Sequence, residues 1–421
     1  MPARDVLVIG LGYVGLPLAI AAVRSGFRVT GLDTSEKIVA GLTAGRSHVD
    51  DVTDADIAEM LGHGFRATAD EGALEPQDVI VICVPTPLSE ADGPDLSAVR
   101  AATAAAARLV KAGTLVSLES TTYPGTTEEV VGPLLEKGSG LTAGIDFALA
   151  FSPERIDPGN PVYGFRNTPK IVGGLTPSCT DAAEEFYSRI CDQVVRAKSS
   201  REAEMAKLLE NTYRHVNIAL VNEMLIFSRE LDIDLWDSIR CAATKPFGFQ
   251  PFYPGPGVGG HCIPIDPNYL SYKVRTLGYP FRFVELAQEI NSRMPGYVTD
   301  RAAELLNRHA QAVNGAKVLL LGVTYKRDIA DQRESPARPL ARKLLARGAR
   351  LSYHDPYVPA WTVDGQSIPR AEDLPASLAG ADLVILLQAH QAYDPAELVR
   401  AARLLLDTRG VIPAGPHVEA L

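Results

Sequence analysis

Three observations in the sequence predict an α/β fold: two doubly wound parallel-sheet domains joined by a central helical region with one long spine helix. First, short apolar runs recur between helical patterns at both ends of the chain. They cover residues 6–9, 28–32, 78–84, 114–119 and 146–151 early on, and 317–321, 350–355 and 381–387 late. Runs apolar on successive residues fit strands buried on both faces of a parallel sheet. Second, residues 202–230 contain neither Gly nor Pro, which predicts a long helix whose apolar faces suffice to pack against a second subunit. Third, 421 residues exceed what one core usually serves. The expected domains are 1–200, 201–312 and 313–421, the middle one helical and dimerising.

The first element is the strand at residues 6–9. It runs directly into Gly10-Leu11-Gly12-Tyr13-Val14-Gly15, and residues 16–22 then open a helix. In this pattern the first glycine permits the tight turn, the second lets a pyrophosphate approach the backbone, and the third lets helix pack on strand. The helix N-terminus then faces the phosphates. The next strand, 28–32, ends at Asp33, placed to accept from ribose hydroxyls and to repel a 2′-phosphate. Together these predict a Rossmann-like NAD site built on Gly10, Gly12, Tyr13, Val14, Gly15 and Asp33.

Strand ends line the cofactor crevice of such sheets. Thr86, Ser120 and Thr121 follow two of these strands, so each offers a hydroxyl to the cofactor, or else caps the next helix. The strand at 146–151 runs into a Pro/Gly-rich loop carrying Glu154 and Arg155, which reads as a functional pair or as a surface ion pair. Lys207 and Asn211 stand four residues apart on the spine helix and share a face.

The segment 254–266 is a loop rich in Gly and Pro that presents Cys262 and, four residues on, Asp266. A thiol on a loop whose backbone can approach a ligand, in a chain with a dinucleotide fingerprint, is a candidate nucleophile. Helical patterns follow near residues 282–292 and 296–312, and the second α/β domain begins at residue 315. Its first strand leads to Tyr325 and to the cations Lys326, Arg327 and Arg333, suited to a diphosphate or to a solvated loop. It lacks a full glycine fingerprint, so no second dinucleotide is expected there.

Composition narrows the partners. With 46% hydrophobic and 22% charged residues, the profile is that of a globular protein. A formal charge of -10 argues against bulk nucleic-acid or anionic-membrane binding. No apolar run approaches the ~20 residues that span a bilayer, and residues 1–5 lead straight into a strand pattern without a secretory signal, so a cytoplasmic protein is expected. Five scattered cysteines without CxxC spacing suggest reduced thiols and no metal site.

These motifs, in this order, resemble the nucleotide-sugar 6-dehydrogenases of the UDP-glucose and UDP-N-acetylhexosamine type. The resemblance is carried by residues 10–19, 84–88, 120–127, 152–160, 204–211, 259–266 and 325–335, essentially the whole chain. It implies a dimeric or larger NAD enzyme that oxidises the C6 alcohol of a nucleotide-diphosphate sugar to a carboxylate in two hydride transfers. Cys262 would form a thiohemiacetal and then a thioester, and Lys207 and Asn211 would stabilise the oxyanion. Asp266 would position water or a proton, Glu154 would act as base in hydrolysis, and Thr121 matches the family's active-site threonine. Arg333 would join the NAD contacts. Glu154, Arg155, Lys207, Asn211, Tyr253, Gly257, Gly259, Gly260, Tyr325, Lys326 and, more weakly, Arg409 would hold the sugar nucleotide. Residues 244–249 lack the arginine common in UDP-glucose enzymes, and with residues 152–160 this is more similar to the UDP-N-acetylglucosamine branch. Two other readings remain open: a two-electron dehydrogenase of the 3-hydroxyacid type, with no use for the Cys262 loop, and a non-catalytic module binding NAD or a nucleotide sugar.

Overall fold

The computed structural model describes residues 4–88, 93–157, 159–260 and 263–421. The chain divides into two compact units, one of Met1–Glu210 with Asn268–Tyr279, the other of Asn211–Pro267 with Pro280–Leu421.

The first unit is built on strands β1 (Asp5–Ile9), β2 (Arg28–Leu32), β3 (Arg66–Thr68), β4 (Val79–Ile82), β5 (Leu115–Leu118), β6 (Ala148–Phe151), β7 (Lys170–Gly174) and β8 (Val194–Arg196). Their order across the sheet is β3-β2-β1-β4-β5-β6-β7-β8. The first six follow the doubly wound 3-2-1-4-5-6 order, and β7 reverses direction against β6. Burial explains the apolar runs. Val6, Val8, Val79 and Val81 enter one core cluster, while Leu7, Ile9, Ile80 and Ile82 enter a second. Successive side chains of a strand point to opposite faces, so these central strands are covered on both.

The second unit carries β9 (Lys317–Leu321), β10 (Arg350–His354), a hairpin of β11 (Trp361–Val363) and β12 (Gln366–Ile368), then β13 (Leu383–Leu386), β14 (Leu405–Asp407) and β15 (Val418–Ala420). Five of these form a parallel sheet in the order β10-β9-β13-β14-β15. Numbered within the sheet this is 2-1-3-4-5, the other common doubly wound order. Val318 and Leu320 pack on one side, Leu319 and Leu321 on the other.

The spine helix is continuous over Ser200–Glu230. The two helices expected near 282–292 and 296–312 are a single helix, Arg282–Arg308, with Pro295 inside it. Sequence reasoning stopped at Pro295 because proline removes an i→i−4 hydrogen bond. Packing overrides that cost: Val298, Ala302, Leu305 and Leu306 after it, like Met294 before it, are buried in the unit's main core. Pro295 gives the Asn291 carbonyl no N–H, and Gly257 comes close to that carbonyl: a Cβ there would lie 3.4 Å from Asn291 O.

Candidate active site

The glycine turn closes the carboxyl end of β1, and its three glycines answer three different demands. Gly10 adopts φ +92°, and a Cβ on it would lie 2.6 Å from the Cys83 carbonyl after β4. A Cβ at Gly15 would overlap Gly10 O, so only glycine lets the helix Gly15–Arg24 seat on the turn. At Gly12 a Cβ would meet nothing within 4 Å, which leaves backbone open toward a ligand. No side chain caps the helix N-terminus at Val14; Leu16 N–H donates to Gly12 O at 3.1 Å and Pro17 has none to give, so the positive end of the helix dipole, more than a row of free N–H groups, favours an anion there. The Asp33 carboxylate accepts from Leu11 N–H and Ser35 N–H, both at 2.9 Å. It thus fastens the glycine turn and still stands at the end of β2. Tyr13 directs its hydroxyl to Asp50 at 3.4 Å. An open glycine, an uncapped helix start and a carboxylate at the next strand end fit a dinucleotide.

The carboxyl ends of β4, β5 and β6 carry the neighbouring polar groups. Thr86 is buried. Ser120 donates to Val84 O at 2.7 Å, so its proton is spent on the end of the neighbouring strand and not on a helix cap. Thr121 is half-buried beside it. Thr122 Oγ1, Ser152 Oγ and Glu154 Oε2 are buried with no hydrogen-bond partner among the described residues. Buried polar oxygens are normally paired, so three at neighbouring strand ends mark where a polar ligand or water completes the structure. Lys207, itself buried, donates from Nζ to the Glu154 carbonyl at 2.6 Å. Arg155 donates to Glu210 at 2.7 Å and to Pro169 O at 2.7 Å, a partly exposed ion pair with the spine helix.

Sequence reasoning missed what lies behind Glu154. Lys170 Nζ is 2.8 Å from Glu119 Oε2 and 3.6 Å from Glu154 Oε2, and Tyr187 OH donates to Glu119 Oε1 at 2.6 Å. Burial raises the Glu119 carboxyl, and the Lys170 ammonium works against that rise. The two carboxylates, against the cost of its own burial, hold Lys170 protonated above the ordinary lysine range. It missed Glu204 as well. This buried carboxyl on the spine helix accepts from Gly125 N–H, Thr127 N–H and Thr127 Oγ1 at 2.6–2.9 Å, and burial raises it to about 7.

In the second unit, Asn211 Nδ2 donates to Asp266 Oδ2 at 2.6 Å, and Asp266 is fully buried. The glycine loop is anchored by asparagines: Gly255 N–H donates to Asn222 Oδ1 at 3.0 Å, and Asn222 Nδ2 to Asn291 Oδ1 at 2.9 Å. Gly260 N–H donates to Arg333 O at 3.0 Å. Gly259 and Gly260 lie against Tyr325, whose atoms a Cβ on either would approach to 2.7 Å. Glu334, at φ +50°, turns its carbonyl toward Gly259, a strained conformation of the kind that clusters at ligand sites. Tyr253 is half exposed, and the Arg333 guanidinium pairs with Asp331 at 2.6 Å. Lys326 is half-buried on the same segment.

Gly257, Arg333 and Asn291 line a cavity of about 630 Å³ with His215, Arg338 and Arg342. Burial pulls His215 down to about 4, so its imidazole is neutral near pH 7. Arg409 is fastened to Leu387 O at 2.6 Å and lies next to Gly255, where a Cβ would come 3.1 Å from Nη1; burial lowers it to about 10. His261 and Cys262 lie outside the described residues. Among the described residues no cluster of His, Cys, Asp and Glu could hold a metal ion, and no helix is long and apolar enough to cross a membrane.

Models of the UDP-glucose/GDP-mannose dehydrogenase family match the chain in three parts. The NAD binding domain matches residues 4–191, the central domain 201–293 and the UDP binding domain 319–414. The chain is 36% identical over 361 residues to a UDP-N-acetyl-D-glucosamine 6-dehydrogenase of Pseudomonas aeruginosa, across 86% of this chain and 84% of that one. It is 34% identical over 421 residues to an NDP-N-acetyl-D-galactosaminuronic acid dehydrogenase of Ralstonia solanacearum, across 97% and 96%. The solved UDP-D-ManNAc dehydrogenase of Pyrococcus horikoshii superposes with a TM-score of 0.90 at 31% identity, covering 99% of this chain and 98% of that one.

Proposed function

Because the chain belongs to the UDP-glucose/GDP-mannose dehydrogenase family and is an NAD-dependent nucleotide-sugar dehydrogenase, we propose that it oxidises the C6 alcohol of a UDP-N-acetylhexosamine to the uronic acid through a thioester on Cys262. The three relatives named above all bear N-acetylhexosamine names, and residues 244–249 lack arginine. Residues 1–200 take NAD, 201–312 carry the nucleophile and dimerise, and 313–421 with the glycine loop take the sugar nucleotide. The enzyme works in the cytoplasm as a homodimer or larger assembly.

NAD, held by the glycine turn and Asp33, would supply the hydride acceptor for both oxidations, so two equivalents per sugar would be needed. The chain's own groups do the rest. The Cys262 thiolate adds to the C6 aldehyde, and the loss of a second hydride leaves a thioester. Water then breaks the C–S bond, releasing carboxylate and thiol. Lys207 and Asn211 face the developing oxyanion, one as a cation and one as an amide donor. Asp266, bonded to Asn211, would position a proton or water for the reaction. Glu154 takes the proton of the hydrolytic water, with Thr121 beside it at the neighbouring strand end.

The observation that supports this reading most is the buried Glu154 carboxylate. One of its oxygens has no hydrogen-bond partner among the described residues, and Lys207 grips its backbone carbonyl. A surface loop has no need of that arrangement, whereas a base next to an oxyanion donor does. The test is NADH formed per sugar consumed across UDP-N-acetylglucosamine, UDP-N-acetylmannosamine, UDP-N-acetylgalactosamine, UDP-glucose and dTDP-glucose. About two per sugar, with an N-acetylhexosamine preferred, is expected for the two hydride transfers of this mechanism. Cys262→Ser should release less than that while NAD still binds. One NADH per sugar in the unaltered enzyme would remove the thioester from the mechanism.

A further inference from the structure

We propose that Lys170, backed by Glu119 and Tyr187, is a positioning residue that holds the Glu154 carboxylate aimed for hydrolysis of the thioester. The proposal rests on the reading of Glu154 as the hydrolytic base. Lys170 opens β7, is 3% exposed, and lies over the rings of Phe165 and Tyr187 at 5.2 and 5.4 Å. Its ammonium touches two carboxylates unequally. Glu119 Oε2 is at hydrogen-bond distance, 2.8 Å, and Glu154 Oε2 is beyond it, 3.6 Å.

The remaining oxygens explain the difference. Glu119 Oε1 accepts from Tyr187 OH at 2.6 Å, and that hydroxyl pairs with Ser117 Oγ at 2.9 Å, so Glu119 is tied at both ends. Glu154 Oε1 accepts from Ile156 N–H, and its Oε2 has no hydrogen bond among the described residues. Glu154 thus has one oxygen fixed to the backbone and one opposed to a cation without being bonded to it. That second oxygen keeps its lone pairs for water. A buried cation facing two carboxylates costs desolvation that an apolar side chain of similar volume would avoid, so the fold alone gives no reason for Lys170. A buried carboxylate base that must be held in one orientation does give one.

The experiment compares Lys170→Met, Lys170→Arg, Tyr187→Phe and Glu154→Gln in the full chain. It measures kcat, the KM of NAD and of the preferred UDP-sugar, the melting temperature, and the covalent adduct on the enzyme by intact mass after a denaturing quench. Lys170→Met is expected to lower kcat about 10²-fold, the lower end of what a general base contributes, with both KM values nearly unchanged and a thioester adduct accumulating. Lys170→Arg should recover most of that loss, because the cation returns. Tyr187→Phe deletes one oxygen and keeps the packing, so it serves even where Lys170→Met fails to fold. It should lower kcat about fivefold, the worth of one net hydrogen bond.

Wild-type kcat in Lys170→Met or in Tyr187→Phe would overturn the proposal, and so would a loss of stability in Lys170→Met with no adduct. Glu154→Gln separates the two claims. If it hydrolyses the thioester normally, the base itself is misassigned. If it stalls while Lys170→Met does not, only the role of Lys170 falls.

Discussion

Asp33 does two jobs that a single substitution can separate. Its carboxylate accepts from Leu11 N–H and Ser35 N–H at 2.9 Å each, which fixes the turn, and its position after β2 is that of the residue that selects NAD over NADP. Loss of the turn alone would weaken both cofactors equally, whereas loss of a charge near the 2′ position would relieve repulsion of the extra phosphate. Asp33→Ala is therefore expected to weaken NAD about tenfold or more, the value of one charge-assisted hydrogen bond, and NADP much less. Titration of both cofactors by fluorescence measures it, and an equal loss for the two would leave Asp33 with the turn alone. Asp33 was legible in the sequence because it follows the glycines by one βαβ step. Lys170, Glu119 and Tyr187 were not. Lys170 and Tyr187 stand 51 and 68 positions from Glu119 and meet it only through the order of strands and the helix Pro177–Ile190 packed on them, which local spacing does not encode.

At the scale of elements, the seating of the first helix on β1 explains why the fingerprint needs glycine, and the demand differs along it. Gly15→Ala would drive a methyl into Gly10 O, so helix and turn must separate. The melting temperature should fall by several degrees, the response to a core overlap of about 1–3 kcal/mol, and NAD binding should be lost with it. Gly12→Ala meets no protein atom within 4 Å, so its melting temperature should stay within about 2 °C, while NAD affinity falls because the added methyl stands where a phosphate would approach. Calorimetry and cofactor titration on the pair check this, and a Gly12→Ala variant with unchanged NAD affinity would move the pyrophosphate elsewhere. The strands, the spine helix and the fingerprint were legible because each is decided by burial or by local backbone chemistry. Pro295 was misread as a break between two helices because its propensity is local, while the core that holds the helix through it is not. The anchoring of the glycine loop by Asn222 and Asn291 was invisible for the same reason.

At the scale of the whole molecule, the proposed homodimer follows from apolar surface that the chain alone leaves uncovered. In the second unit the spine helix packs against the helix Arg282–Arg308 through Val216, Ala219, Ala287 and Ile290. On the spine, Tyr213, Leu220 and Phe227 remain 46%, 52% and 48% exposed. They recur every seven residues, which keeps them on nearly one side of a helix, and Phe283 and Leu286 are exposed on the second helix. Large apolar side chains in such an arrangement mark an interaction surface. Each chain also carries a formal charge of -10, so two copies repel at long range and only short-range apolar burial can hold them. Light scattering on a sizing column should therefore give about twice 45.1 kDa, and Leu220→Glu should give the monomer mass by burying an unpaired charge at the seam. Salt distinguishes the physics. Screening reduces the repulsion and leaves the apolar contact intact, so the dimer should persist or tighten as ionic strength rises. Dissociation by salt would mean that ion pairs hold the copies together, and the apolar stripe would then need another occupant.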